Sequence, residues 1–229
     1  MFYKIATIVF FSFFSFSTNA VIVNNPVFSV IKITGLSEKS NEINFIYNNL
    51  KTNVSSLPNK ESFAKALQGF YELKEKGLIK KDILTLIDFS LSSIEKRLWI
   101  IDLKTNTVIY NSLVAHGRNS GNEYAQFFSN KVSSFKSSIG FFATGETYIG
   151  KHGYSLRLDG LNKGINCSAR ERAIVIHGAE YVSNSFINQT GRLGRSLGCP
   201  SLPKQISKEV IDIIKNKSLL YIYYPNSRV

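Results

Sequence analysis

Apolar residues recur every third or fourth position in two stretches near the start of the chain, and in short β-like runs over most of the rest. Ile43, Ile46, Tyr47 and Leu50 share one face of a helix predicted over residues 37–50, with Ser37 as its N-cap. Pro58-Asn59 can start a second helix, whose stripe of Phe63, Leu67, Phe70 and Tyr71 runs until Gly77. Both stripes read as core faces. From about residue 81 the texture becomes β-rich, with predicted strands at 83–91, 97–103, 107–115, 139–143, 155–158, 173–176 and 218–224. Residues 102–106 join two of these as a hairpin, and glycine concentrates between 117 and 198, where tight turns connect short strands. A late helix carries Ile206, Val210, Ile213 and Ile214 on one side, with Pro203 near its first turn. The fold class expected is therefore α+β, β-rich, with a small helical segment at the front and one helix near the end.

The first twenty residues follow a different pattern: Lys4, an almost unbroken apolar run from Ile5 to Phe16, then small residues at Thr18 and Ala20. This is the layout of a secretory signal peptide, and the run is short of the ~20 residues that span a bilayer. The expected organisation is a signal peptide at 1–20, an N-terminal helical segment at 21–80 and a larger β-rich domain at 81–229. The expected location is outside the cytoplasm, in the periplasm or cell envelope, with no membrane span once the leader is removed. Within 229 residues, 44% hydrophobic and 19% charged, there is room for one sizeable folded domain and for no large assembly of domains. The balance of 28 Lys and Arg against 16 Asp and Glu, a formal +12, favours anionic partners. No nucleic-acid motif accompanies that charge, so no nucleic-acid partner is expected.

Two cysteines, Cys167 and Cys199, allow one disulfide in an oxidising compartment; they equally allow a free nucleophile. A thiol near its ordinary pKa is only a few per cent ionised at neutral pH, so catalysis would need a base. Of the three histidines, His116, His152 and His177, the last follows the apolar run Ala173-Ile174-Val175-Ile176 and precedes Gly178, a strand-end placement that can aim an imidazole. A hydrogen-bonded structural histidine is the alternative. Cys199 closes the run Gly191-Arg192-Leu193-Gly194-Arg195-Ser196-Leu197-Gly198-Cys199-Pro200, where backbone N–H groups can line an oxyanion hole and guanidiniums can favour a thiolate or bind a carboxylate. A basic surface turn with an incidental cysteine is the alternative there. The histidines lack the spacing of a zinc site, and no metal or cofactor is expected.

Taken jointly, His177-Gly178 and Ser196-Leu197-Gly198-Cys199 resemble the signature of the YkuD-type L,D-transpeptidases, a His-Gly strand end followed after a loop by Ser/Thr-His-Gly-Cys. The match looks closest to the divergent murein L,D-transpeptidase branch, from Gly150-Lys151-His152-Gly153-Tyr154-Ser155, Leu158-Asp159-Gly160-Leu161, His177-Gly178-Ala179-Glu180-Tyr181 and Gly198-Cys199-Pro200, and it covers roughly residues 60–224. Two departures stand out. Leu197 occupies the place of the family's second histidine, and Pro200-Ser201 replaces an apolar residue and Asn, with no arginine close behind.

The resemblance implies a mixed β-sandwich and an exported cysteine acyltransferase acting on peptidoglycan stem peptides. Cys199 would be the nucleophile, His177 its base, and the Gly178 carbonyl the group fixing the ring's second nitrogen. Gly198 would belong to the oxyanion site. With the family's following arginine missing, Arg195 and Arg192 are the candidates to bind the substrate carboxylate; Ser196 and His152 are candidates to border the substrate, with a turn-stabilising hydroxyl and a turn histidine as the alternatives. A 3→3 cross-link results if an amine resolves the thioester, and a carboxypeptidase or endopeptidase if water does. A noncatalytic wall-binding module is the remaining reading. A sortase fits less well, since it wants Thr-Cys and a following arginine, whereas here only Arg228 comes after the cysteine.

Overall fold

The computed structural model describes residues 41–53 and 56–225. The signal peptide expected at 1–20 and the Ser37 cap lie outside the described residues. Helix α1 runs through residues 41–48, followed by a two-residue strand, β1 (Lys51–Thr52). Helix α2 (Lys60–Glu75) begins where expected, because the Asn59 side chain accepts hydrogen bonds from the N–H groups of Glu61 at 2.8 Å and Ser62 at 3.4 Å. Its buried face, Phe63, Ala66, Leu67 and Phe70, sits against the sheet.

Strands β2 (Ile83–Asp88), β3 (Leu98–Asp102) and β4 (Thr107–Ser112) form an antiparallel meander. Strands β5 (Gly140–Gly150) and β6 (Gly153–Gly160) form a long hairpin whose tip carries Lys151 and His152. Strand β7 (Val175–Ala179) pairs antiparallel with β6 and parallel with β8 (Ser201–Pro203). Helix α3 (Asn184–Thr190) separates β7 from β8, and helix α4 (Lys204–Ile214) leads to β9 (Leu219–Tyr223). The nine strands make one mixed sheet in the order β1-β4-β3-β2-β9-β5-β6-β7-β8. The α+β class is as expected. The sequence pattern did not reveal β1, β8 or α3, and β5 is longer than the run at 139–143 suggested.

Strand alternation sorts the apolar residues onto two faces. Leu84, Leu86, Trp99, Ile101, Leu219 and Tyr221 meet α2 in one core. Ile87, Leu98, Ile100, Leu220 and Ile222 face the other way, and there they meet Leu156, Leu158, Ile176 and Leu202 from the far strands, together with Val210, Ile211 and Ile214 of α4. Two walls of one sheet thus enclose a shared core, which is sandwich packing. The curl is fastened by bridges from Ala115 to Ser201 and from Gly117 to Ser196, which tie the segment after β4 to the opposite end of the strand order. A third small cluster, Leu113, Ala115, Ala179, Val182 and Leu193, packs where these ends meet.

Candidate active site

The site lies on this seam. On β7, Ile176 points into the shared core, so His177 points to the opposite face. It is paired in register with Ser155 of β6 and Ser201 of β8, two small neighbours that leave space for an imidazole. Its Nδ1 lies 3.0 Å from the Gly178 carbonyl, which can only accept, so Nδ1 carries the proton and Nε2 holds the lone pair. Nε2 lies 3.0 Å from Ser201 Oγ, and the same oxygen lies 3.0 Å from the Tyr181 hydroxyl. From the hairpin tip, His152 lays its ring on His177 with centroids 4.3 Å apart and planes at 19°. Burial first, then the neighbouring His152, push the His177 pKa below its ordinary value, with the Gly178 carbonyl opposing. The imidazole is therefore neutral around pH 7.

Gly178 is required by packing. A Cβ there would stand 2.4 Å from Ser207 Oγ and 2.9 Å from Ser207 Cβ, so only glycine lets α4 approach β7 this closely.

The nucleophile turn is held by its own serine. Ser196 Oγ accepts from Gly198 N–H at 3.0 Å and donates to the Cys199 carbonyl at 2.6 Å. Gly198 adopts φ +126°, and an added Cβ would meet the Lys136 carbonyl at 2.9 Å, so the turn forbids a side chain there on two counts. Its carbonyl accepts from Ser137 Oγ at 3.1 Å, and Ser137 Oγ in turn accepts from Gly117 N–H at 2.9 Å. Cys199 comes two residues before Ser201, in the turn that leads into β8, the strand paired with β7. Its Sγ lies 3.7 Å from the Ala173 carbonyl.

Cys199 is half-buried and opens onto a cavity of about 470 Å³. One wall is the hairpin with Tyr148, Lys151 and His152; another is the segment with Val132, Ser133 and Phe135. Arg172 ties that second wall down, donating to the carbonyls of Ser129 at 2.5 Å and Lys136 at 2.6 Å and to the Oγ atoms of Ser138 at 2.5 Å and Ser134 at 3.2 Å. Burial pushes the Cys199 thiol up from its ordinary pKa; a backbone contact with Val175 and the charges of Arg172 and Lys151 pull against it. At rest the site thus holds a protonated thiol and a neutral imidazole. Chemically, this arrangement suits a nucleophile whose proton leaves only when an acyl group is present.

The sequence profile of the L,D-transpeptidase catalytic domain matches residues 55–223. The chain belongs to that family. A comparison with curated proteins finds no match. Among solved structures, the chain resembles an L,D-transpeptidase from Mycobacterium smegmatis at 11% identity and a TM-score of 0.38, over 62% of this chain and 59% of that one. It resembles the helical cell shape determining protein Pgp2 from Campylobacter jejuni at 12% identity and 0.40, over 68% and 56%. An L,D-transpeptidase from Stackebrandtia nassauensis gives 13% and 0.36, over 73% and 69%. This chain thus spans less than two thirds of the length of the first two.

Within this L,D-transpeptidase domain the residues singled out from sequence separate into two groups. Cys199, His177, Gly178, Gly198, Ser196 and His152 gather at the cavity or in the turn and strand that frame it. Arg195 and Arg192 do not line the cavity. Nη1 of Arg195 donates to the carbonyls of Arg118 at 3.2 Å and Gly121 at 3.0 Å and to Asn122 Oδ1 at 2.8 Å, while Arg192 Nη1 bonds the Leu193 carbonyl at 2.7 Å. The cations facing Sγ are Arg172 and Lys151. The Gly198 N–H, expected to face an oxyanion, is engaged by Ser196. His116 lies outside the site, buried against Arg97, whose Nη2 meets its Nδ1 at 2.8 Å. Cys167 is a separate, exposed free thiol. Sequence reasoning missed Ser201, Tyr181 and Arg172. For Ser201 one signal was available, its i+2 spacing from Cys199 at the start of a strand.

Proposed function

We propose that this chain is an exported peptidoglycan L,D-transpeptidase working through a thioester on Cys199. The observation that carries the reading is the His177 ring on β7, its Nδ1–H given to Gly178, with the half-buried Cys199 thiol in the turn leading into the adjacent strand β8 and opening on a cavity. In this mechanism His177 Nε2 takes the Cys199 proton, and the thiolate attacks the carbonyl at the L-centre of a stem diaminopimelate. The C–N bond to D-alanine then breaks, and the amine leaves with the proton from His177. An amine of a second stem attacks the thioester and gives its proton to the ring; the C–S bond breaks as the 3→3 peptide bond forms, and the leaving sulfur takes the proton from His177 to become the thiol again. Lys151 and Arg172 at Sγ give the cavity a positive field that favours a donor rich in carboxylates. Leader cleavage and delivery to the cell envelope belong to the same proposal.

Incubating the purified chain with tetrapeptide muropeptides and reading the products by mass spectrometry tests this. Released D-alanine with 3→3 dimers is expected, and Cys199→Ala or His177→Ala should each remove both products, with the double variant little worse than either. Tripeptides without dimers would reassign the enzyme to hydrolysis. Neither product, and no acylation of Cys199, would leave a wall-binding module.

A further inference from the structure

The basic nitrogen of His177 is occupied, and not by the thiol. Nε2 and the Tyr181 hydroxyl each lie 3.0 Å from Ser201 Oγ, and Ser201 is fully buried. The direction of this chain follows from what each atom can do. Nδ1–H is committed to the Gly178 carbonyl, so Nε2 can only accept and the Ser201 O–H must donate to it. A hydroxyl has one proton, so Tyr181 must in turn donate to Ser201 Oγ. Tyr181 can do so at any ordinary pH, since burial raises its pKa. Both partners are fixed by more than this contact. Ser201 bonds Ala115 through its own backbone N–H and carbonyl, and the Tyr181 carbonyl accepts from Gly194 N–H at 2.9 Å.

We propose that Ser201, aimed by Tyr181, is a positioning residue for the base: its hydroxyl caps the Nε2 lone pair in the resting site, and the Cys199 thiol must displace it before the proton can move. The inference rests on the reading of the site as a thiol–imidazole acyltransferase. In the step itself the S–H bond breaks and an Nε2–H bond forms, leaving thiolate and imidazolium, while Ser201 keeps its proton and turns its O–H away. Because the cap donates to the neutral ring, it stabilises the uncharged form and holds His177 at low basicity until a substrate brings sulfur to nitrogen.

The other groups around the ring are accounted for. His152 stacks on it from the hairpin, and Ser155 faces it from β6. Cys199, with Lys151 and Arg172 at its sulfur, lies on the β8 side. From α4, Lys204 and Ser207 approach at Gly178, with the Lys204 ammonium 2.6 Å from Glu180. Among these, Ser201 makes the hydrogen bond to Nε2.

Titration of the His177 ring by NMR, in the full chain without substrate, reads the cap directly. Ser201→Ala should raise the His177 midpoint by about one pH unit, since the neutral ring loses its donor. Tyr181→Phe should raise it less, and Ser201→Thr should keep it near the wild-type value. In turnover, Ser201→Ala should move the acid limb of the kcat profile upward by the same shift with KM unchanged. A His177 midpoint that is the same in Ser201→Ala as in wild type overturns the proposal, as does a Ser201→Thr variant that titrates like Ser201→Ala. Should Ser201→Ala fail to fold, an unshifted Tyr181→Phe overturns it equally. A shifted midpoint in a protein that releases no D-alanine supports the cap and sinks the transpeptidase reading instead, so the two can fail separately.

Discussion

The two cysteines occupy opposite electrostatic situations. Cys199 is half-buried and its thiol is pushed up by desolvation, whereas Cys167 is exposed and its thiol is pulled down by the N–H of Gly164 at 3.4 Å and the amide of Asn130 at 3.3 Å. Cys167 should therefore be the more reactive thiol at rest. Brief iodoacetamide labelling at pH 7 followed by peptide mapping should find Cys167 modified well before Cys199, with Cys199 gaining ground as pH rises. Faster labelling of Cys199 at pH 7 would show that its thiolate is preformed. Sequence reasoning could reach the chemical identities of Cys199 and His177, because a histidine after an apolar run and a cysteine in a glycine-rich turn are local patterns. It did not reach Tyr181 or Arg172, and for Ser201 it offered only the spacing from Cys199. Their roles come from the β7–β8 register and from a guanidinium reaching across to the 129–138 segment, and neither leaves a periodic trace.

Strands and helices with strong alternation or a clear cap were legible, including α2 with its Asn59 cap and the buried strands β2, β3 and β9. The short ones were not. β8 has three residues and α3 has seven with none of them buried, too few positions for a period to show. Yet β8 is what brings Ser201 beside His177, with Cys199 in the turn that leads into it, so the most informative element for the candidate site was the least visible in the pattern. The packing of α4 on β7 depends on Gly178. Gly178→Ala should force α4 outward and destabilise the protein by about 1–3 kcal/mol, as overpacking of a close contact does. A urea midpoint indistinguishable from wild type would mean that Ser207 yields freely and that the close approach has little energetic weight.

Close to the candidate site lies a buried cation with no bonded acid among the described residues. Arg97 is fully buried and donates to the Val114 carbonyl at 3.0 and 3.2 Å, to the Leu91 carbonyl at 2.8 Å, and to His116 Nδ1. Burial, then the charge of Arg97, drive the His116 pKa down to about 3 from 6.5, against the pull of the Gly121 carbonyl. The unfolded chain thus takes up a proton at this residue that the native protein refuses. Stability from this pair is complete above pH 6.5 and drains away as pH falls toward 3, with a slope approaching about 1.4 kcal/mol per pH unit in mid-window. His116→Gln should be less stable than wild type at pH 7 but lose less between pH 7 and 4, as read by denaturant midpoints. An equal loss in both proteins would assign the acid sensitivity to other groups.

The position of β9 governs when this protein can fold. The chain makes β9 after every other described strand, yet it lies in the middle of the sheet, parallel to β2 on one side and antiparallel to β5 on the other. Without it the β2–β4 meander and the β5–β8 half share no ladder, and both cores lack residues they need, Leu220 and Ile222 in one, Leu219 and Tyr221 in the other. A nascent chain stopped short of residue 219 would hold two half-sheets with open edges, a state that invites sticking to other chains rather than native collapse. Native pairing of the two halves is thereby deferred until residues 219–223 have been made, since the joining step places one late strand between two earlier ones.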